Sequence, residues 1–184
     1  MQLNDWFQKG ISFEQYIEQM ERNKEKMLSI YSQFELTDNQ VEKLTSLATE
    51  EIRVIAITED WCGDAMLNNP ILMRIAERAK MNVHFLLRDQ NLELMDQYLT
   101  NGTSRAIPIY IFLNGAGEEI AVWGPRSKEM QQFVLEEREK LPPQEAEDFS
   151  DKQQEMYRNI TKRFLTDKTV WDNVADSIIA TLVR

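Results

Sequence analysis

The sequence predicts an α/β fold in which a four-stranded mixed sheet is flanked by helices, with further helices at both ends. Two observations predict it. Between residues 53 and 140, short apolar segments rich in β-branched residues alternate with longer segments whose apolar residues recur at helical spacing. Outside this region only the helical spacing occurs. The expected division is an N-terminal helical extension over residues 1–50, a core over residues 51–141 and a C-terminal helical extension over residues 142–184.

Composition indicates a globular protein with one core. The chain has 184 residues, 42% of them hydrophobic, and 31 acidic against 21 basic residues give a formal net charge of −10. This acidic balance, without a Lys/Arg cluster, argues against nucleic acid as a partner. No run of about 18 apolar residues occurs, so we expect neither a membrane span nor a signal peptide. The single cysteine excludes an internal disulfide and favours a cytoplasmic location.

The first fifty residues predict two amphipathic helices. Apolar residues recur mostly at helical spacing after a capping box formed by Ser12 and Gln15, which predicts one long helix over residues 12–34. A second capping box begins the helix that is expected over residues 37–50.

The core segment predicts alternating strands and helices, followed by a hairpin. The first strand is an apolar run that starts at Arg53 and is too short for a helix. We expect the first two strands to be parallel and the last two to be antiparallel, joined by a turn that contains glycine. In chain order, the expected elements are strand 53–57, helix 62–80, strand 83–88, helix 92–99, strand 107–113, strand 120–123 and helix 127–140.

Two more helices are predicted after Pro142 and Pro143 and the short acidic stretch that follows them. Because their apolar faces cannot stay exposed, these helices should pack on the core. The apolar residues that mark them are Met156, Ile160 and Phe164 in the first helix and Val170, Val174, Ile178 and Leu182 in the second.

Cys62 lies where the first strand of the core gives way to a helix. Unpaired N–H groups and the positive dipole end of a helix stabilise a thiolate there. We therefore expect a thiol that is at least partly accessible and whose pKa lies below the free value of about 8.5, although an isolated cysteine is also often an inert core residue. Asp60 and Asp64 would oppose a thiolate, and we interpret both as solvated or helix-capping residues.

The residues around Cys62 resemble a known active site. The motif Trp61-Cys62-Gly63-Asp64-Ala65 is similar to the W-C-G-x-C motif of the thioredoxin superfamily. Pro70 stands where the family has a proline in its active-site helix, and Ile107-Pro108 where it has a cis-proline. The resemblance covers about residues 53–140. It implies a thioredoxin-like fold, with Cys62 as the catalytic residue, Trp61, Gly63, Asp64 and Ala65 completing the motif, and Ile107, Pro108 and Gly124 contacting the substrate.

Two departures from the family pattern change the expected chemistry. Ala65 replaces the second cysteine, so no internal thiol can release a mixed disulfide. Ala56 occupies the place of the family's buried acid. The sequence therefore predicts a monothiol protein of cell redox homeostasis, a thiol-disulfide oxidoreductase that acts in thiol-disulfide exchange or de-thiolation. Its partners would be protein disulfides or low-molecular-weight thiols, and an external thiol would free Cys62.

Two alternatives stay open. The chain could be a redox-inactive, protein-binding module in which Cys62 is a relic. It could also form a dimer around an iron-sulfur cluster, as monothiol glutaredoxins do, although their C-G-F-S motif differs from this one. The sequence does not reveal the oligomeric state.

The remaining polar candidates have simpler interpretations. We expect no cofactor and no metal, since one cysteine and one histidine cannot form a metal cluster of the usual spacing. His84 is interpreted as a structural residue of a strand. Arg105 and Arg126 are interpreted as surface arginines, with contact to an anionic thiol substrate as the alternative.

Overall fold

One four-stranded mixed sheet organises the protein in the computed structural model, which describes residues 1–183 and only the backbone of residue 49. Its strands are β1 Arg53–Thr58, β2 Asn82–Leu87, β3 Ile109–Leu113 and β4 Glu119–Trp123, in the spatial order β2-β1-β3-β4. β1 and β2 are parallel, whereas β3 is antiparallel to both β1 and β4. The predicted fold class is therefore confirmed.

Helices cover the sheet, and further helices precede and follow it along the chain. They are α1 Leu3–Lys9, α2 Phe13–Gln19, α3 Lys24–Gln33, α4 Asp38–Thr45, α5 Gly63–Ala79, α6 Leu92–Met95, α7 Lys128–Glu139, α8 Phe149–Thr166 and α9 Lys168–Leu182. Short 3₁₀ turns lie at Leu47–Thr49 and Arg88–Gln90. The helices predicted over residues 37–50 and 92–99 are thus shorter than expected. Residue 184, which ends the predicted C-terminal extension, lies outside the described residues.

The sheet separates two apolar clusters. Val54 and Ala56 of β1 belong to the larger one, which also contains buried residues of α2–α5 and α7–α9. Ile55 and Ile57 belong to the smaller one, together with the aromatic residues of α1. Because β1 is buried on both faces, its sequence is continuously apolar rather than alternating. The predicted packing of the C-terminal helices is confirmed, since α9 contacts α4, α5, α7 and β4.

The long helix predicted over residues 12–34 is wrong. α2 ends at Gln19, and α3 starts only at Lys24, after Asn23 has adopted the left-handed conformation at φ 56°. Both capping boxes predicted for the N-terminal region are present. The interruption between α2 and α3 therefore has a cause that helical spacing does not reveal, and this cause lies at the candidate site.

Candidate functional site

Cys62 occupies the N-cap position of α5, just beyond the end of β1, so its predicted place at a helix start is confirmed. Its Sγ accepts a hydrogen bond from the backbone N–H of Ala65 at 3.5 Å. The thiol also donates to the carbonyl oxygen of Ile107, 3.4 Å away. The sulfur thus lies between the first turn of α5 and the loop that leads into β3.

The predicted accessibility and acidity of Cys62 are wrong. The side chain is only 9% exposed, and it belongs to the smaller apolar cluster with Ala65, Ile107 and Ile109. Burial raises the pKa of Cys62 to about 11, and the negative charge of Asp64 acts in the same direction. Hydrogen bonds from the start of α5 and the charge of Arg126 lower the pKa, but by less. Desolvation therefore outweighs the helix terminus.

The loop facing Cys62 approaches a glycine backbone closely. The Ile107-Pro108 and Gly124-Pro125 peptide bonds are both cis. Gly124 has a φ of 127°, and a Cβ built on it would lie far inside contact distance of the Pro108 carbonyl oxygen. The structure thus brings together Cys62, Ile107, Pro108 and Gly124, which the sequence resemblance assigned to one site.

Asp64 and Arg126 form a bidentate ion pair, with Nε to Oδ1 at 2.8 Å and Nη2 to Oδ2 at 2.6 Å. Their side chains are mostly buried, and Arg126 also donates to Gln131 at 2.9 Å. Burial raises the pKa of Asp64, while Arg126 opposes this shift. The interpretation of Asp64 as a solvated cap and of Arg126 as a plain surface arginine is therefore wrong, since each neutralises the other beside the cysteine.

Trp61 forms the exposed rim of the site, with 42% of its surface accessible. The guanidinium of Arg88 lies 4.8 Å from the centre of its ring, within cation–π range. Arg88 also donates to the carbonyl oxygen of Arg105 at 3.1 Å and pairs with Asp89 at 2.7 Å. One arginine therefore connects Trp61 to the loop that precedes Pro108. Arg105 itself pairs with Asp96 at the surface, as interpreted from the sequence.

Asp60 connects the site to the N-terminal extension. Its Oδ2 accepts the backbone N–H groups of Glu21, at 2.7 Å, and of Arg22, at 3.0 Å. Its carbonyl oxygen accepts from the Asn23 side chain at 2.9 Å. These contacts account for the interruption between α2 and α3, and they correct the interpretation of Asp60 as a solvated residue.

Three buried polar side chains form a hydrogen-bonded network within the larger apolar cluster, between β1, α5 and β3. Tyr110 donates to Asn69 Oδ1 at 2.8 Å, and Asn69 Nδ2 donates to the Thr58 hydroxyl at 2.9 Å. Tyr110 pairs in the sheet with Ala56, the residue that the sequence resemblance puts in place of a buried acid. The sequence analysis did not predict this network. The signal that could have indicated it was the pair of polar residues Asn68-Asn69 within the apolar stripe of α5.

Other polar candidates stand away from Cys62 or do not form a cluster. His84 lies on the edge strand β2, where its ring stacks on Phe7 at 4.0 Å and its Nδ1 is 2.6 Å from the Phe7 carbonyl oxygen, which agrees with a structural role. Within residues 1–183, no three His, Cys, Asp or Glu side chains are grouped to hold a metal ion. In the same part of the chain, no helix is both long and apolar enough to cross a membrane.

Comparison with known proteins identifies a family and a fold. The family model described as thioredoxin matches residues 10–146. A Pseudomonas aeruginosa protein of unknown function is similar in structure, with a TM-score of 0.72 and 12% identity over 99% of this chain and 97% of that one. An HIV epitope scaffold gives a TM-score of 0.71 and 13% identity over 99% of this chain and 98% of that one. A Fasciola hepatica thioredoxin gives a TM-score of 0.35 and 20% identity over 52% of this chain and 89% of that one. No curated protein matches the chain.

Proposed function

This chain belongs to the thioredoxin family, and from that premise we propose that Cys62 carries out thiol-disulfide exchange as a single thiol. The observation that carries the proposal is the position of Sγ between the Ala65 N–H and the Ile107 carbonyl oxygen. A sulfur at this place has a helix terminus on one side and a loop backbone on the other. The exposed Gly124, together with the backbone of Ile107 and Pro108, whose side chains are buried, would then face a disulfide substrate.

The proposed reaction has two balanced steps. In the first, the Cys62 sulfur attacks a substrate disulfide, so that one Cys62–substrate disulfide forms, the old S–S bond breaks, and the Cys62 proton ends on the departing thiol. In the second, an external low-molecular-weight thiol attacks the half of the substrate that is bound to Cys62, and its proton passes to the Cys62 sulfur. This restores the Cys62 thiol and joins that half to the external thiol in a new disulfide. In de-thiolation the half bound to Cys62 is the small thiol, so the protein leaves as a free thiol in the first step and the small thiol leaves as a disulfide in the second.

Because the chain has no second cysteine, an external thiol is needed to release the mixed disulfide. The chain has one cysteine, and Ala65 fills the buried position one turn along α5. A mixed disulfide on Cys62 therefore has no internal thiol to displace it. The reaction accordingly requires a compartment that supplies reduced thiols, as the cytoplasm does.

The raised pKa sets the speed of the first step. With a pKa of about 11, roughly one Cys62 sulfur in ten thousand is a thiolate at neutral pH. Small disulfides free in solution should therefore react slowly. A substrate that docks along the loop can compensate, because binding holds its sulfur beside Cys62 for many encounters.

A second candidate function is a redox-inactive module that binds a protein partner. The burial of Cys62 and its raised pKa favour this reading, since structural buried cysteines are inert. The exposed ring of Trp61 would then be a contact for the partner rather than the rim of a reactive site.

The two functions differ in what Cys62 does to a mixed disulfide. The chain is incubated with a peptide disulfide-bonded to glutathione, with free glutathione in excess, and peptide release is followed. Catalysed release together with a glutathione or peptide adduct on Cys62 by mass spectrometry is expected. Cys62→Ser is the control that keeps size and fold. Equal release by the wild type and Cys62→Ser, with no adduct on the wild type, would leave only the binding module.

A further inference from the structure

We propose that α8 pairs with α8 of a second copy of this chain. The two helices run antiparallel, and the twofold axis crosses them at the level of the peptide bond between Met156 and Tyr157. The proposal concerns an interaction surface far along the chain from Cys62 and does not depend on the proposed chemistry. It rests on the order of the charges along the outer face of one helix.

The outer face of α8 carries a stripe of four exposed charged residues. Met156, Ile160 and Phe164 form the buried face of the helix. Successive separations of four, three and four residues place the four charges on the opposite face, in one line. The charge stripe, in chain order, is Asp151, Glu155, Arg158 and Lys162, all of them exposed.

The charges in the stripe are segregated by sign. Asp151 and Glu155 are four residues apart, as are Arg158 and Lys162, so each half of the stripe repels itself within its own helix. Asp151, Arg158 and Lys162 have no ion-pair partner within residues 1–183, and Glu155 pairs there only with Lys152, at 3.3 Å, from the side of the stripe. This arrangement stabilises an isolated helix less than an alternating one would.

The helix dipole accounts for Asp151, which lies in the first turn of α8, but not for the two inner charges of the stripe. Its effect on a charge falls off within the first and last turns of a helix. Glu155 and Arg158 lie near the middle of the 18-residue helix, two turns from either end. The change of sign therefore occurs where the dipole has little influence. The simplest complement to the stripe is a second surface that is also divided into a negative half and a positive half.

A second copy of the same helix supplies that surface in one register. When two α8 helices run antiparallel, Asp151 of one faces Lys162 of the other if the axis lies between Met156 and Tyr157. The same axis places Glu155 opposite Arg158 of the second copy. Both pairs have the same midpoint, so one twofold operation produces four ion pairs, as an isologous interface requires.

The stripe itself offers little apolar area. Tyr157, 50% exposed, lies about 130° around the helix from the middle of the stripe, on the side of a shallow groove that Lys26 and Leu165 also line, and not at the axis. The helix is about 27 Å long, so the paired surface is small by the standard of permanent dimers. Exposed ion pairs contribute mainly register and specificity. The expected assembly is therefore a weak, reversible dimer.

Charge reversal in each half of the stripe tests the pairing on the full chain. Arg158→Glu with Lys162→Glu makes the stripe wholly acidic, and Asp151→Lys with Glu155→Lys makes it wholly basic. In sedimentation velocity, the wild type should show a concentration-dependent dimer. Each variant alone should have a dissociation constant at least roughly tenfold higher. An equimolar mixture of the two variants should dimerise again, because opposite stripes then meet.

Controls separate the stripe from net charge and from misfolding. Lys43→Glu with Lys80→Glu reverses two exposed lysines elsewhere and changes the net charge by as much as the acidic-stripe variant, and it should dimerise like the wild type. Circular dichroism confirms that each variant is folded. A wild type that stays monomeric at every concentration would overturn the proposal, as would variants that dimerise normally alone or folded variants that stay monomeric when mixed.

Discussion

The carbonyl oxygen of Ile107 accepts a hydrogen bond from the Cys62 thiol at 3.4 Å. A thiolate has no proton to donate, so this bond exists only for the neutral sulfur. A hydrogen bond to the neutral form of a group disfavours its ionisation, and here it acts together with burial. The same loop that would position a substrate therefore holds the resting cysteine in its less reactive form.

The rate of Cys62 alkylation should rise with pH well beyond the range of an ordinary cysteine. Because only the thiolate reacts and its pKa is about 11, the rate should increase about tenfold per pH unit through neutral and mildly alkaline conditions. Iodoacetamide kinetics on the folded protein, with thiolate absorbance in parallel, measure it. A plateau near pH 8.5 would contradict the buried environment described here, and the denatured chain provides the ordinary profile.

Ionisation of Cys62 should also lower stability at alkaline pH. Its pKa rises from an ordinary 9.0 to about 11 on folding, so the unfolded state loses its proton first. Well below pH 9 both states are protonated and no stability is lost, whereas between pH 9 and 11 ionisation increasingly favours the unfolded state, by about 2 kcal/mol at pH 11. Urea unfolding compares the wild type with Cys62→Ala, because other groups titrate in this range. Parallel pH profiles for the two proteins would refute the linkage.

Substitutions in the Asp64–Arg126 pair should move the Cys62 pKa in opposite directions. Asp64→Asn removes a charge that raises this pKa and should lower it, whereas Arg126→Gln removes one that lowers it and should raise it. Each variant leaves one mostly buried group without its partner and should cost about 1–3 kcal/mol of stability. Alkylation at several pH values measures the pKa. Shifts of the same sign in both variants would point to a packing change instead of charge.

Alanine at Gly124 should destabilise the protein, whereas alanine at Gly63 should not. Gly124 combines a φ of 127° with backbone of Pro108 and Ile109 where a Cβ would stand, which together cost about 3 kcal/mol or more. Gly63 has nothing within 4 Å of a built Cβ and begins α5. Its replacement should change stability by less than about 1 kcal/mol, and in the stabilising direction. Thermal unfolding of both variants decides this; a Gly124→Ala protein as stable as Gly63→Ala would contradict the close approach.

Ala65→Cys should create an oxidisable pair. The Ala65 N–H already lies 3.5 Å from the Cys62 sulfur, and residues three apart share a helix face. The variant should form an internal disulfide and gain insulin-disulfide reductase activity with a dithiol reductant. The gain should be modest, since Ala56 supplies no proton acceptor. Ala65→Ser is the control without a thiol. Turnover of insulin by the wild type itself would contradict the monothiol mechanism.

Sequence patterns predicted the sheet well because its strands are determined locally. The buried run that becomes β1 and the glycine turn between β3 and β4 are both visible in short stretches of sequence. The interruption between α2 and α3 is not, because it depends on a carboxylate 38 and 39 residues away at Asp60. Helical spacing describes one helix face at a time and contains no information about such a distant acceptor.

The sequence predicted where Cys62 lies in the fold, but not how deeply its sulfur is buried. The Cys62 position at the start of α5 follows from the strand-to-helix transition. Its pKa depends on how far the sulfur is buried, and that depth is set by the loop at Ile107, which is distant in sequence. The pairing of Asp64 with Arg126 spans 62 residues and was hidden for the same reason.

The anchor at Asp60 uses main-chain donors, and this has a consequence for variation among natural sequences. Since Glu21 and Arg22 contribute only their N–H groups, almost any side chain at these two positions preserves the attachment. Proline alone lacks the donor. We therefore expect positions 21 and 22 to drift freely among descendants of this chain, with proline excluded, while the acid at position 60 persists.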